Sequence, residues 1–342
     1  MDGSLVATAI GSGLFAGAVA IGATRAIERF GGLVGGVLAS LPTTILPASI
    51  GLALRLSGGD LQAALYSVPP GMLVNAGFLT VLRVLPPRVP KAGGLGGRLA
   101  AAIGVAVAVW AVGAGAGVGI TPGGGRTSND VTAFGGGGGL AVVVVGIPAC
   151  SRPLPAASTP KPVSVRALVL RGAGSAAAVT VAVLLSRVNR VAAGFATTFP
   201  AIFMTAMVSL WLAQGDSLPA GASGPMILGS TSVIAYVVLF SALTVQAGWH
   251  PAAALPLAWI IAVCVTSLPI TVFLRWRRAV CAQPAAAAVA AGGLAAADAN
   301  AAAAAGSTAD DSSGATPISL VVAPADPVEP PIAPAVAVRR DP

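Results

Sequence analysis

Long apolar runs alternate with short polar breaks along this chain. Residues 4–24, 31–54, 61–82 and 99–120 form one group of such runs, and 163–186, 190–213, 223–246 and 252–274 form another. Each approaches the ~20 residues that a helix needs to cross a bilayer core. Between the groups, 121–137 reads as a Gly-rich loop with Arg126 and Asp130, and 134–150 as a shorter apolar stretch ending in Cys150. That stretch is close to the lower limit of about 17 residues for a crossing. The pattern predicts an all-α polytopic transmembrane helix bundle of about nine spans. Asp2 is the only charge ahead of the first run, so that run reads as a retained helix and not as a cleaved signal.

One stretch occurs twice. Residues 29–54 and 187–212 align at a constant offset without a gap, placing Arg29 on Arg187, Gly36 on Gly194 and Pro42 on Pro200. Ser40-Leu41-Pro42 faces Thr198-Phe199-Pro200, and downstream Gly71 falls on Gly229. The shared Gly-x5-Pro frame, with hydroxyls just before the proline, reads as an internal duplication of a membrane module. The expected divisions are a first module over 1–120, a loop and linking span over 121–162, a second module over 163–278, and a disordered Ala/Pro-rich tail over 279–342.

Composition fits only one class. Hydrophobic residues make up 56% of the chain and charged residues 9%, with a mean hydropathy of +0.88. A soluble domain carries roughly 25% charged residues, so the surface must face lipid. The net charge of +8 is spread over loops, with no basic stripe interleaved with aromatics, and nucleic acid is not an expected partner. The basic residues serve instead to choose a topology. If 134–150 crosses, one side holds Arg25, Arg29, Arg83, Arg88, Lys91, Arg98, Arg152, Lys161, Arg166, Arg275, Arg277 and Arg278. The other side then holds only Arg55, Arg126, Arg187 and Arg190. Without that crossing the two sides are nearly equal. Loop Lys and Arg favour the cytoplasmic side, so nine spans are expected, with the N-terminus outside and the C-terminus cytoplasmic. The plasma membrane is the default location, an organelle membrane the alternative. An odd number of crossings turns the two copies into an inverted repeat, as in many secondary transporters.

Candidate chemistry sits at the prolines. Within a helix, Pro42 would free the carbonyl of Leu38, Pro47 that of Thr43 and Pro200 that of Ala196. Ser40, Thr43, Thr44, Thr197 and Thr198 stand beside these breaks, and paired broken helices with adjacent hydroxyls are how a midplane binding site is built. The competing reading is that each hydroxyl bonds back to its own helix. Asn75, the one amide well inside a span, either bridges helices or lines a cavity. Tyr66 and Tyr236 either add hydroxyls to a cavity or anchor at the interface, Trp249, Trp259 and Trp276 read as interfacial anchors, and Arg171 reads as a residue that snorkels. No Asp or Glu lies mid-span, which argues against a proton relay. One histidine and three scattered cysteines build no metal site, and no cofactor is expected. GGGRTS at 123–128 lacks the Gly-Lys-Ser/Thr of a phosphate loop. No catalytic set is present, so an enzyme is not expected.

The repeated stretches resemble the GlpM-type family of small bacterial inner-membrane proteins. The resemblance rests on Gly194 with Phe199-Pro200 in the second copy and Gly36 with Leu41-Pro42 in the first, and 192–217 is the closer match. It implies two fused copies of a four-span module and supplies neither substrate nor catalytic residues. The expected function is movement of a small neutral or anionic solute across the lipid bilayer, through Ser40, Pro42, Thr43, Thr44, Asn75, Thr197, Thr198 and Pro200. The alternative is a non-transporting scaffold or accessory subunit of a membrane complex.

Overall fold

The computed structural model describes residues 3–30, 42–43, 45–89, 94–120, 128–150, 164–214, 217–277 and 279–280, all within a single unit, Met1–Gln283. Most of them are helical, and no strand occurs among them. Eight described segments are long and apolar enough to cross a membrane: 3–25, 58–84, 96–120, 132–149, 165–185, 190–208, 223–246 and 251–277. The chain is an integral membrane protein. The expected span at 31–54 lies partly outside the described residues, which begin again at Pro42 and form helix α2 (Ile45–Ala53). The expected tail lies outside them from residue 281 on.

Helix α1 (Gly3–Phe30) packs antiparallel on α7 (Val165–Leu185). Small residues let the two backbones approach. A Cβ on Gly13 would stand 2.7 Å from the Ala176 carbonyl oxygen, and one on Gly17 would stand 2.9 Å from that of Gly172. Thr180 donates across this seam to the Ala9 carbonyl at 3.3 Å. Without a hydrophobic drive between helices in lipid, close small-residue contact and such bonds hold the pair together.

Three crossings are interrupted. Helices α3 (Gly58–Tyr66) and α4 (Val68–Val84) meet at Ser67, where Pro69 and Pro70 cannot donate to the preceding turn. Helix α8 (Arg190–Thr197) is separated from α9 (Ala201–Gln214) by Thr198-Phe199-Pro200. Asn189 caps α8 by accepting from the Ala192 amide at 3.0 Å, so the sequence sets its start as well as its end. A lesser break at Ser230 joins α10 (Ser217–Gly229) to α11 (Thr231–Ser241), which runs out through a π turn to Gln246. His250 Nδ1 then accepts from the Ala252 amide, and α12 (Pro251–Ala262) continues through a second π turn to Arg277.

The 121–137 loop expected from the sequence is shorter than predicted. Helix α6 begins at Ser128 and runs to Ala149, so the Gly run 135–139 is helical. It runs alongside α3 and α4: Gly135 lies on Tyr66, Gly138 on Pro69 and Pro70, and the Ala149 carbonyl accepts from Arg83. In lipid every backbone group must bond internally, which favours helix even for glycine. The missing side chains also admit the rigid proline pair. Helix α5 (Gly94–Ile120) covers the other side of α4 and reaches α8.

Ion contacts sort the helix ends into two faces. Arg55 bonds Ser4 and Thr8, and Arg190 pairs with Asp60, so the starts of α1, α3 and α8 share one face with the end of α2. At the opposite face Cys150 lies near Arg83 and Arg277. Burial pushes its thiol up from the ordinary range, against the pull of Arg277 and then Arg83. Arg55 and Arg190 thus stand apart from Arg83 and Arg277.

Candidate functional site

Asn75 and the Thr198–Pro200 break come together in the interior. Asn75 is 2% exposed on α4, and its Nδ2 donates to the Thr198 carbonyl at 2.8 Å. The remaining Nδ2 proton faces Met72 Sδ at 3.8 Å. Both donors are thus engaged on one side, and Oδ1 is buried with no hydrogen-bond partner among the described residues. One turn before Asn75, Gly71 faces the same threonine, and a Cβ there would stand 2.6 Å from Thr198 Oγ1.

The break closes most of its own backbone groups. Phe199 donates to the Ala196 carbonyl at 3.1 Å and Thr198 to that of Phe195 at 3.0 Å. The carbonyl of Ala196, expected to be freed by Pro200, is therefore occupied: with the chain turning out of the helix one residue earlier, the Phe199 amide replaces the missing donor. Thr197 Oγ1 donates to the Gly194 carbonyl and Thr198 Oγ1 to that of Phe195, each at 2.7 Å. Their protons are spent locally, as the back-bonding reading predicts, and their oxygens keep lone pairs. On the far side of the break the Ala201 amide donates to the Phe199 carbonyl at 2.8 Å and the Met204 amide to that of Pro200 at 2.7 Å, which leaves the Ile202 and Phe203 amides of the first turn of α9 without an intrahelical acceptor.

The Gly-x5-Pro frame acquires a physical meaning here. A Cβ on Gly194 would overlap Ser67 Oγ and the Ala64 carbonyl, so glycine lets α8 seat against the α3–α4 break. Ser67 Oγ donates to Ala64 at 2.7 Å and across to the Val191 carbonyl at 3.2 Å. Phe199 stacks edge-on to Trp110 of α5 at 5.1 Å. Ser67 was missed in the sequence, although Ser67-Val68-Pro69 repeats the hydroxyl-x-Pro order of Thr198-Phe199-Pro200.

The other expected site residues fare differently. Ser40 and Thr44 lie outside the described residues. Pro42 is buried and Thr43 half-buried ahead of α2, neither of them in a helix, and no hydrogen bond joins either to the Asn75 group among the described residues. Pro47 breaks no helix. It sits in the first turn of α2, where a missing N–H costs nothing.

Four expected surface roles are corrected. Tyr236 is fully buried on α11, stacked on Phe240, with its hydroxyl facing Ser49 of α2. Tyr66 is buried beneath α6, and Trp259 packs into the core. Trp249 and Trp276 are exposed near segment ends, as anchors should be. Arg171 turns inward: it bonds Thr24 at 2.8 Å, Thr205 at 3.2 Å and the Ile202 carbonyl at 3.4 Å. Three nearby polar partners offer it more than the longer reach to the membrane surface.

Compared with protein-family models, with curated proteins and with solved structures, the chain matches none.

Proposed function

We propose that this protein is a carrier for a small neutral or anionic solute, working through helices broken at proline. The observation that carries this reading is Asn75: an amide buried deep in one span grips the Thr198 carbonyl at the break of another, and keeps an unmet acceptor beside it. That Oδ1 is an acceptor with no partner among the described residues, of the kind a site that fills and empties would use. In the first turn of α9 the Ile202 and Phe203 amides supply donors for a carbonyl or anionic group, those of Ala201 and Met204 being taken by Phe199 and Pro200. Arg171, bonded to Ile202 and Thr205 in the same turn, adds positive charge there.

The duplication reading supports the same mechanism. At the repeat's offset Gly17 aligns with Ser175, and the antiparallel α1–α7 crossing is centred on that region, with Gly17 on Gly172 and Gly172 on Ile21. Equivalent helices meeting head to tail are what an inverted repeat requires. The GlpM-type resemblance fits two such fused modules.

The test is flux in proteoliposomes, read by osmotic swelling with polyols, urea, sugars, small carboxylates and phosphate. The carrier reading expects swelling with a subset of these, reduced in Pro42→Ala and Pro200→Ala while both variants insert normally. Swelling at the empty-liposome rate with every solute, together with a stable partner recovered in mild detergent, returns the scaffold reading.

A further inference from the structure

We infer that α3 and α8 form a gate over the Thr198–Pro200 break, latched by the Arg190–Asp60 pair and closed in this structure toward the face where the two helices begin. The inference deepens the carrier reading and rests on it only for the consequence that a solute passes this way. The opening of the gate is tested without it.

The two helices are built alike. With nine and eight residues, α3 and α8 end partway through the bilayer core, at the Ser67 and Thr198–Pro200 breaks. They start side by side, where Arg190 pairs with Asp60. They stay in contact down to the breaks, where Ser67 Oγ donates to the Val191 carbonyl at 3.2 Å and Asn75 Nδ2 to that of Thr198 at 2.8 Å. Between these points the seam admits nothing: a Cβ on Gly194 would already overlap Ser67 Oγ and the Ala64 carbonyl. A solute at the break therefore reaches this face along the seam only after α3 and α8 part.

The means of parting are built in. Each half-helix meets its continuation at prolines, Pro69 with Pro70 and Pro200, which leave the helical ladder incomplete. Backbone at such a junction can absorb the dihedral change of a hinge. α3 belongs to the first expected module and α8 to the second, so movement of one module against the other separates them. The charges at the mouth fit a latch better than a cap. Asp60 stands in the first turn of α3, where the helix dipole favours an anion. Arg190 opens α8, where the dipole opposes a cation, and Asp60 offsets this across the seam. The two side chains are 36% and 53% exposed, so their attraction is modest and screened by salt. Such a pair biases the closed form without locking it.

The experiment reads access to the break directly. In the full chain with its native cysteines replaced, Thr198→Cys puts a thiol beneath the seam. Its alkylation by N-ethylmaleimide, an uncharged reagent, is followed in detergent at low and high choline chloride. With the pair intact, high salt should speed labelling by up to about fivefold, the range an exposed ion pair supports. Asp60→Asn and Arg190→Gln should each show the faster rate already at low salt and lose the salt response. Exchanging the charges, Asp60→Arg with Arg190→Asp, should restore slow labelling and its salt dependence. Equal rates in all these chains, or a salt response that survives in Asp60→Asn, overturns the gate. Flux is read separately by swelling. A gated thiol without any swelling would retain the gate and sink the carrier reading. Swelling unchanged by Asp60→Asn and Arg190→Gln, with the thiol gated, would move the solute's route away from this seam.

Discussion

Glycine at 194 and glycine at 104 look alike in the sequence and differ completely in the bundle. A Cβ at 194 meets Ser67 and the Ala64 backbone, whereas at 104 nothing stands within 4 Å. Gly194→Ala should therefore lower stability by ~1–3 kcal/mol through overpacking, and Gly104→Ala should stay within about 0.5 kcal/mol. Detergent melting curves of the two variants check this. Cys150 makes a second test at this scale. Its thiol is held above the ordinary range by burial, so less thiolate exists at neutral pH. In a chain lacking Cys264 and Cys281, alkylation of Cys150 should be slow near neutrality and accelerate at a higher pH than for an ordinary thiol. Removing the nearby charge with Arg83→Ala should slow it further, because the guanidinium lowers the pKa. Pseudo-first-order labelling rates across pH read both effects.

Broken helices are the elements that matter. The α8–α9 break is held from outside by Asn75 and Gly71 on α4 and by Trp110 on α5. Pro200→Ala restores a donor at position 200 and lets α8 run on into α9, withdrawing the Thr198 carbonyl from Asn75. Helicity and insertion should be preserved, and flux should fall by about tenfold or more, the effect of ~1.4 kcal/mol on a barrier. Wild-type flux in that variant would remove the break from the mechanism. One of the three main proline features was legible as a break from the sequence alone: Pro200, by its place in the repeated frame; the residues before Pro42 lie outside the described ones. Pro47 was misread because a proline's effect depends on its distance from the helix start, and only the fold sets where α2 begins.

For the whole molecule the deciding question is whether the two copies oppose one another. Helix α6 runs beside α3–α4 from Tyr66 to Arg83, which makes it a full companion of a crossing and not a surface loop. Single cysteines at Gly124, within 153–160 and at Ala220, in a chain without native cysteines, should label from outside intact cells at 124 alone. Equal labelling at 124 and 153–160 would make the copies parallel and remove the inverted repeat. Most of the spans were readable in advance, since ~20 apolar residues have few fates other than a crossing helix. Half of the candidate site was readable too: Asn75, Thr198 and Pro200 were singled out, but nothing in the sequence said that they touch.

That division has a physical cause. Hydropathy and span length act locally and additively, so the sequence alone determined that this is a membrane helix bundle and where most of its apolar helices lie. Contacts over more than a hundred residues depend on which helices the lipid leaves to pack together, and small residues permit many pairings. Only the tertiary structure decided that Asn75 meets Thr198, that Gly194 is needed against Ser67, that Arg171 turns inward, and that Tyr236 is core and not an anchor.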